Sequence, residues 1–523
     1  MPVLPYSNSN VPFWRRPSYL VGIFAALCFA LLASSCRPPV EPDSNLVRIG
    51  LANDVLSLDR ARVGDITSWS IIYNVIENLT EIDPATRLPR PALAERWEVS
   101  EDRKVLTFKL RRDVRFHNGK VLEAADIKYS IERFLDPKAA APVRQWLGSV
   151  KTVEIVNPYE IRLVLSQPER NILTSLAVVP GIIPEGWEAD QSGDPNAVIG
   201  TGPFRYRRWQ RGQELILDRF PAYWGGEPKV HGVVFRVVPN ESSRVMALRR
   251  GELDLILSNS LTPASVSDLV EAGFRLQEIP ALGQWYLGFD HSTAPFNNRR
   301  FRESICASIN RESIAKDLLQ GRAIQAIGPL PRVFAEHAQD LDSPSFDPSE
   351  ARRLLADSGV KLDVRKPLEL AYGTEWPWVE QLVQVLQADL ASAGIPVVAR
   401  KYEWSTFVSG LFGRKYSFFA VDIFAGNGDP QLFLGDLFGS DSGLNFFNYH
   451  NFAFDDSVRK ASGLDGEQYR QMIAKTQKIL SNDCAAVFLF NPMQGFVMSP
   501  RLRGVQPGAL QELRLKRAEL VAQ

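Results

Sequence analysis

Residues 422–429 (DIFAGNGD) combine two carboxylates, an asparagine and two glycines, residue types that suit the binding of polar ligand groups. Glycine lets a ligand approach the backbone closely. In open α/β sheets, ligands bind beyond the carboxyl ends of the strands. The segment therefore predicts one wall of a ligand cleft, with binding residues Asp422, Gly426, Asn427, Gly428 and Asp429. An ordinary tight turn is the alternative interpretation.

The elements that must position these residues are a strand and a helix. Residues 417–424 form an apolar run with the length and aromatic content of a buried strand, and the glycines and proline after it end the strand. The chain resumes at residues 431–438, which are apolar and compatible with a helix. Asp429 stands just before that helix, where an aspartate side chain caps a first turn.

The sequence contains none of the common catalytic or nucleotide-binding motifs. G-x-S-x-G, H-E-x-x-H and G-x-x-x-x-G-K-[ST] are absent, and the five histidines lack the spacing of a metal-binding pair. Gly426-x-Gly428 and Gly200-x-Gly202 begin like dinucleotide fingerprints, but Gln431 and Arg205 occupy the third glycine position. We expect no catalysis, no cofactor and no metal, and an exported hydrolase is the alternative interpretation.

Length and charge describe a globular protein of two or three domains. The chain has 523 residues, of which 45% are apolar and 23% charged, and this length exceeds what one hydrophobic core supports. Lys+Arg and Asp+Glu are both 60. Because there is no basic excess, we expect no nucleic-acid partner.

The amino-terminal segment predicts export and a lipid anchor. Arg15 and Arg16 precede an uncharged apolar run at residues 19–33, and small residues then lead to Cys36. This pattern is typical of a secretory signal, and the run is short for a membrane span. The cysteine after the small residues resembles a bacterial lipobox. We interpret residues 1–35 as a lipoprotein signal peptide, Cys36 as the lipid attachment site and residues 36–45 as a tether. A simple signal peptide with an incidental cysteine is the alternative.

Removal of the signal and acylation of Cys36 would leave Cys306 and Cys484 in the folded body. Two cysteines in an oxidising compartment can pair, but sequence does not establish the geometry that a disulfide needs. We favour two small buried apolar residues.

A series of short motifs occurs in a fixed order along the chain. They are LTFKLR at 106–111, FHNGK at 116–120, ADIKYS at 125–130, IGTGPF at 199–204, YW at 223–224, LRRGELD at 248–254, the segment beginning PF at 295–309, the segment beginning DP at 347–359, and NGDP at 427–430. Together they resemble the oligopeptide, dipeptide and nickel class of ABC-transporter solute-binding proteins, family 5. The resemblance extends over most of the mature chain.

The resemblance implies an α/β fold, a two-lobed periplasmic-binding-protein clamshell of type II with an extra inserted subdomain. Lobe I would comprise residues 46–80, 199–288 and 490–523, residues 81–198 would be the inserted subdomain, and residues 289–489 would form lobe II. The chain would cross between the lobes near residues 286–290 and 488–491. Both runs lie beside breaks, where hinges occur.

The implied function is that of a substrate-binding lipoprotein of an ABC importer, located in the periplasm or at the cell surface. It would be a monomer that closes on a peptide or peptide-like solute and delivers it to a membrane permease and its ATPase. A receptor for a sugar or other neutral solute, and a surface co-receptor not coupled to transport, are the alternatives.

The charged anchors of the peptide-binding members are missing from their usual places. The aspartate that holds the ligand's amino terminus corresponds to Gly426, and the arginine for its carboxylate falls at residues 372–374, which contain no arginine. Asp422 or Asp429 could take over the amine. Without anchors, we expect backbone contacts to a longer peptide or stacking of a polar ligand on aromatic rings. The candidate aromatic residues are Trp285, Trp404 and Tyr449, together with Tyr286, Trp376 and Trp378.

Overall fold

The structure, a computed structural model, describes residues 45–63, 65–83, 86–139, 141–187, 194, 196–341, 344–374, 376–424, 428–508 and 512–522. The predicted signal peptide, Cys36 and all of the tether except Asn45 lie outside the described residues. In the part of the chain that is described, no helix combines the length and apolar character needed to cross a bilayer.

The strands are β1 Leu46–Leu51, β2 Thr80–Ile82, β3 Pro89–Pro91, β4 Ala94–Val99, β5 Val105–Leu110, β6 Val150–Asn157, β7 Glu160–Leu165, β8 Phe204–Gln210, β9 Glu214–Arg219, β10 Gly232–Val237, β11 Leu255–Leu257, β12 Arg275–Pro280, β13 Gly283–Phe289, β14 Ala323–Gln325, β15 Leu368–Gly373, β16 Val397–Tyr402, β17 Phe418–Phe424, β18 Ala486–Met498, β19 Leu502–Arg503, β20 Gln506–Pro507, β21 Leu513–Arg514 and β22 Glu519–Leu520.

The helices are α1 Ile66–Ile72, α2 Ala124–Leu135, α3 Ile172–Val178, α4 Glu241–Arg249, α5 Pro263–Glu271, α6 Arg299–Ser308, α7 Arg311–Ser313, α8 Pro348–Asp357, α9 Val379–Ser392, α10 Trp404–Phe412, α11 Pro430–Phe438, α12 Phe452–Ala461 and α13 Gly466–Asn482. Several begin after an Asp, Asn or Thr whose side chain accepts a hydrogen bond from a first-turn amide, as at α1, α4, α5, α6, α11 and α12. Such caps satisfy backbone donors that have no partner within the helix.

Twelve of the described strands form one mixed sheet. Its order is β16, β15, β17, β13, β18, β11, β1, β10, β9, β8, and β12 and β14 also pair with β18. The first half of β18 pairs with β13, and its second half pairs with β11 and β12. We call β1 and β8–β12 the first half-sheet, and β13–β17 the second half-sheet. Strands and helices are therefore mixed as predicted.

The chain passes between the half-sheets at two neighbouring places. Residues 280–283 connect β12 to β13, and residues 491–493 lie in the middle of β18. Ala281 N donates to Pro492 O at 2.9 Å, so the two crossings are paired with each other. Tyr286, which the resemblance placed at a crossing, lies within β13, entirely in the second half-sheet.

A separate antiparallel sheet has the order β4, β5, β7, β6. Helix α2 packs against β6 and β7 and buries Ile127, Ile131 and Phe134 on one face. The helical spacing of these residues accounts for this packing, since positions three and four apart share a face. The sheet lies at residues 94–165, inside the range predicted for the inserted subdomain.

Several of the sequence motifs meet in one polar cluster around Glu77, which we call the Glu77 cluster. The Glu77 carboxyl group accepts hydrogen bonds from Thr201 Oγ1 at 2.9 Å, Tyr223 OH at 2.8 Å and Trp224 Nε1 at 2.8 Å. Burial raises the pKa of Glu77 to about 7, and the three hydrogen bonds oppose that rise. The IGTGPF and YW motifs are therefore joined by a side chain from a third segment.

The glycines of IGTGPF let two backbone segments approach closely. A Cβ atom on Gly202 would lie 2.7 Å from the Asn74 carbonyl oxygen, and one on Gly200 would lie 2.0 Å from that of Val75. His117, from FHNGK, lies beside them, with Nδ1 3.3 Å from Gly200 N and Nε2 3.0 Å from Gly202 O. Gly200 N donates to Nδ1, so the imidazole is neutral with its hydrogen on Nε2. Burial lowers the pKa of His117 to about 4, in agreement with that form.

The strand and helix predicted around residues 422–429 are confirmed as β17 and α11. Asp429 caps α11, because its Oδ1 accepts from Leu432 N at 2.7 Å. Cys306 and Cys484 are free thiols, each 3% exposed. The prediction that both are buried is confirmed.

Candidate ligand-binding site

A small cavity lies where the two half-sheets meet, and we call it the central cavity. Its lining consists of Ser258, Asn259, Leu261, Pro263, Trp285, Leu319, Arg322, Trp376, Trp378, Asp422, Pro492, Met493 and Gln494. Both half-sheets therefore contribute to one space beside the chain crossings.

Asp422 reaches this cavity because of its position in β17. It pairs directly with Trp285 of β13, and residues opposite each other on antiparallel strands project from the same face. Trp376 Nε1 donates to Asp422 Oδ2 at 3.3 Å. Burial raises the pKa of Asp422 to about 6, with the bond from Trp376 acting in the opposite direction.

Three tryptophans form the apolar wall around Asp422. The Trp285 and Trp378 rings have centroids 5.1 Å apart, and Phe490 stacks on Trp285 at 6.0 Å. Trp285 is 3% exposed and Trp378 is 6% exposed. Indole rings present a broad apolar face to a ligand while their N–H groups bind polar partners.

The opposite side of the cavity is a short polar turn, Ser258–Ser260, that follows β11. Ser260 Oγ bonds to Leu257 O at 2.8 Å, and the buried Arg244 guanidinium donates to Ser260 O, so the turn is held from behind. Within the described residues, Ser258 Oγ and Asn259 Oδ1 are buried and have no hydrogen-bond partner. Buried polar atoms without partners are rare in native proteins, and a water molecule or a ligand group can supply the missing hydrogen bond.

Arg322 brings a positive charge to the cavity. Its backbone is held at both sides, since Arg322 N donates to Leu319 O at 2.8 Å and Met493 N donates to Arg322 O at 3.0 Å. Arg322 Nη2 is paired with Glu278, whose side chain is 7% exposed. Arg322 Nη1 is buried and has no partner among the described residues. Burial lowers the pKa of Arg322.

A second, larger cavity contains the other side of the predicted cleft wall. Gly428, Asp429 and Pro430 lie on one side of it, and Arg170 and Asn171 lie on another. Asp429 is 3% exposed, and burial raises its pKa to about 7. Because its carboxylate caps α11, this residue has a structural contact in addition to its place in the cavity.

Arg170 connects the loop before α3 to α13 at the edge of the second cavity. Its guanidinium carbon lies 3.8 Å from the centre of the Tyr469 ring, and Nη1 donates to Asp465 Oδ1 at 3.2 Å. Arg103 makes an ion pair with the same carboxylate at 2.6 Å. These contacts join residues predicted for the inserted subdomain to residues predicted for lobe II.

The structure gathers some of the predicted binding residues and separates others. Asp422 and Trp285 line the central cavity, and Gly428 and Asp429 line the second cavity. Gly426 and Asn427 lie outside the described residues.

Three of the predicted aromatic residues, Tyr286, Trp404 and Tyr449, are absent from the linings of both cavities. Tyr286 is buried, and its hydroxyl donates to Pro329 O at 3.0 Å. Trp404 begins α10 and packs on Phe407, with ring centroids 6.1 Å apart. Tyr449 is 2% exposed, and its hydroxyl donates to Asp483 at 2.6 Å. Their described contacts are those of core packing.

Sequence reasoning missed Arg322, Ser258 and Asn259. The polar turn at Ser258 had a usable signal, because it follows an apolar strand just as Asp422–Asp429 does. Arg322 had no comparable signal in the sequence, because an arginine after a glycine is ordinary in a loop. Only its surroundings in the folded protein distinguish it.

An α/β fold with two half-sheets and a polar cavity beside two chain crossings is that of a solute-binding protein with two lobes. Solved structures of such proteins are similar to this chain. A periplasmic binding protein, DppA, from Helicobacter pylori in complex with the peptide STSA has a TM-score of 0.80 and 25% identity, covering 91% of this chain and 98% of that one. NikZ from Campylobacter jejuni in complex with Ni(L-His) has a TM-score of 0.79 at 21% identity, covering 91% of this chain and 100% of that one, which shows a shared fold.

Sequence comparisons identify the family. Residues 89–445 match the family described as bacterial extracellular solute-binding proteins, family 5 Middle. The dipeptide-binding protein of Escherichia coli (strain K12) is 26% identical over 474 residues, covering 82% of this chain and 87% of that protein. Heme-binding protein A of Haemophilus influenzae is 27% identical over 492 residues, covering 86% and 87%. This chain belongs to the family 5 extracellular solute-binding proteins. The predicted two-lobed clamshell is confirmed, and the chain is a binding protein rather than an enzyme.

Proposed function

We propose that this chain is the substrate-binding lipoprotein of an ABC importer and captures a peptide or peptide-like solute for a membrane permease. The observation that supports this most directly is the central cavity, in which buried polar atoms of Ser258, Asn259 and Arg322 have no partner within the described residues. A bound solute would supply those partners. Relatives named for dipeptides and di- and tripeptides favour a peptide as that solute.

Capture would occur by closure of lobe I (residues 46–80, 199–288 and 490–523, with 81–198 inserted) on lobe II (residues 289–489). A ligand stabilises the closed state only to the extent that it contacts both lobes. The turn at Ser258 and the strand at Asp422 lie on opposite half-sheets, so a ligand between them meets that condition. The paired crossings at 280–283 and 491–493 would be the hinge, which would move residues 284–288 from the predicted lobe I to lobe II.

Ligand contacts would include Asp422 and Trp285 in the central cavity and the segment Gly426, Asn427, Gly428 and Asp429. Replacing Gly426 with valine should weaken binding much more than it lowers stability, because the added side chain would occupy space meant for ligand. Equilibrium binding and thermal unfolding of the same variant separate the two effects. Unchanged affinity would remove this turn from the site.

Thermal unfolding with and without ligand tests the function itself. The purified protein is heated alone, with a tripeptide pool and with a sugar pool. A ligand at about 100 times its dissociation constant adds about 2.7 kcal/mol to the free energy of unfolding, which raises the midpoint measurably. Stabilisation by peptides supports the proposal. Stabilisation by sugars alone would replace it with a sugar receptor, and no response to either would favour a co-receptor.

The proposed lipid anchor has its own test. Cys36→Ala should move the protein from the membrane fraction to the soluble fraction without changing its thermal midpoint, because only the acylation site is lost. Cys28→Ala, which alters a cysteine inside the predicted signal peptide, is the matched control and should leave the protein with the membrane. A Cys36→Ala protein that stays membrane-bound would show that Cys36 is not the anchor.

A further inference from the structure

The end of α13 places Cys484 in a backbone conformation that glycine usually adopts. Cys484 N donates to Ser481 O at 3.1 Å, and Ala485 N donates to Leu480 O at 3.0 Å, the two bonds that close a Schellman motif. The φ angle of Cys484 is +43°. A side chain at this left-handed position costs conformational free energy that glycine would avoid. The presence of cysteine is therefore to be explained by what its side chain contacts.

The side chain of Cys484 contacts Cys306 on α6. Arg302 and Cys306 lie four residues apart and share one face of that helix. Arg302 Nε donates to Cys484 O at 3.2 Å, and Cys306 Sγ lies 3.9 Å from Ala486 O, so this face packs on the residues that connect α13 to β18. A hydrogen bond between the two thiols, together with burial, raises the pKa of the Cys306 thiol. The fold therefore brings together the two cysteines whose pairing the sequence left open.

Cys484 also lines a cavity at the surface of the protein. The same lining includes Arg299, Arg300 and Asp347, all of which are exposed. A reagent in solution can therefore approach Cys484 from this side. Extracellular solute-binding proteins act outside the cytoplasm, where disulfide bonds form and persist.

We propose that Cys306 and Cys484 form a disulfide bond in the exported protein. The oxidant is a protein disulfide of the thiol–disulfide oxidoreductase class. The Cys484 thiolate attacks one sulfur of that disulfide, forms a mixed disulfide and displaces a thiolate. The Cys306 thiolate then attacks the Cys484 sulfur and displaces the second thiolate. The two cysteine protons pass to the two displaced thiolates, so two cysteines are oxidised and one disulfide is reduced.

This bond goes beyond solute binding, because it acts on the framework of the predicted lobe II. It connects α6 to the start of β18, the strand that continues into the crossing at 491–493. It also closes most of residues 289–489 into one loop, and a disulfide across a long loop restricts the unfolded chain more and stabilises the fold more. Neither cysteine lines the central cavity or the second cavity, so the bond is independent of the solute.

Mass spectrometry of the exported protein tests the bond directly. Cells that express the full-length chain are quenched in acid, and free thiols are alkylated under denaturing conditions before air oxidises them. Trypsin then releases residues 303–311, which contain Cys306, and residues 479–501, which contain Cys484. We expect the two peptides to be joined, to lack the alkyl group and to separate on reduction. Two alkylated peptides without prior reduction, or either peptide joined to another thiol, would overturn the proposal.

Single variants test the order of attack. In Cys306→Ala, the remaining Cys484 thiol should react with iodoacetamide in the native protein, because it lines the surface cavity. In Cys484→Ala, the Cys306 thiol should react at least about tenfold more slowly, because it is buried and its pKa is raised. Alkylation of the same two tryptic peptides measures both rates. Equal rates would show that the assigned order is wrong.

Thermal unfolding separates a disulfide from two packed thiols. Cys484→Gly relieves the left-handed backbone, so it should raise the midpoint if the thiols only pack together. If a bond is lost, it should lower the midpoint by about 3 °C or more, and this is the result we expect. Wild type that is reduced in urea and refolded with the reductant should then unfold at or below the midpoint of the variant. A Cys484→Gly midpoint at or above that of untreated wild type would overturn the proposal.

Discussion

Two polar clusters in this molecule are made from similar residues and have opposite hydrogen-bonding states. In the Glu77 cluster, one carboxyl group accepts bonds from a hydroxyl, a phenol and an indole, all between 2.8 and 2.9 Å. In the central cavity, a carboxyl group accepts one described side-chain bond, from Trp376. Ser258, Asn259 and Arg322 around it each have a buried atom without a described partner.

This difference distinguishes a polar cluster that stabilises the fold from one that is suited to binding a ligand. Burying a polar group costs free energy unless a partner replaces water, so a fully bonded cluster stabilises the fold. A cluster with unused donors and acceptors lowers stability until a ligand completes it. Three motifs that carry the family resemblance, FHNGK, IGTGPF and YW, lie in or beside the first cluster. The residues proposed to bind the solute belong to the second cluster.

Removing the central carboxyl group of each cluster should give the largest difference in the free energy of unfolding. Glu77→Ala leaves three donors without a partner and should lower the free energy of unfolding by about 4 kcal/mol. Asp422→Ala should change it by less than about 1 kcal/mol, because the carboxyl group has few bonds to lose. Urea denaturation without ligand measures both. Equal losses in the two variants would contradict the distinction between the clusters.

The glycines of IGTGPF, which lie beside the Glu77 cluster, allow a second comparison of stability. Gly202→Ala would place a Cβ atom 2.7 Å from the Asn74 carbonyl oxygen, and we expect a loss of about 2 to 3 kcal/mol from this overpacking. Gly212→Ala is the control, with φ +69° and open space around the added atom, so only the conformational cost of about 1 kcal/mol applies. Thermal midpoints rank the two. A Gly202→Ala midpoint at or above that of Gly212→Ala would show that the two segments separate easily.

A matched pair of hydroxyl deletions sharpens the comparison further. Thr201→Val removes a donor to Glu77 and should lower the free energy of unfolding by about 1.5 kcal/mol. Ser258→Ala removes a buried hydroxyl that has no described partner, so stability should stay within about 0.5 kcal/mol or rise. Denaturant titration resolves this difference. A larger loss for Ser258→Ala than for Thr201→Val would mean that Ser258 Oγ has a structural partner.

The stability should also depend on pH through Glu77. Its pKa is raised from 4.5 to about 7 in the folded protein, so the folded state binds the proton more tightly than the unfolded state. The contribution of Glu77 to stability is therefore fully present below about pH 4.5 and is lost as the pH rises through about 7. Unfolding curves of wild type and Glu77→Gln across this range test the sign. The variant should lack this part of the slope, and an unchanged slope would assign the titration to another group.

Local patterns were enough to predict β17, α11 and the Asp429 cap. Apolar runs and helix-capping residues act over a few neighbouring residues, so the sequence contains the whole signal. The resemblance to family 5 also followed from short motifs, because their order along the chain is a property of the sequence.

The composition of the central cavity could not be predicted in the same way. Arg322, Glu278 and Asp422 are far apart in the chain, and pairing of β12, β13, β14, β17 and β18 brings them close together. Tyr449 is the opposite case: its residue type predicted a place in the cleft, but it is packed in the core beside Asp483. Which aromatic ring faces a ligand depends on which neighbours cover it.

The sequence by itself determined the class of this protein, its local elements and the absence of common catalytic motifs, because those depend on residue type and spacing. The tertiary structure decided which polar groups are satisfied. Hydrogen-bond satisfaction is a property of groups brought together from distant parts of the chain, so Glu77 becomes a structural centre and Asp422 a candidate ligand anchor although both are single carboxylates in the sequence.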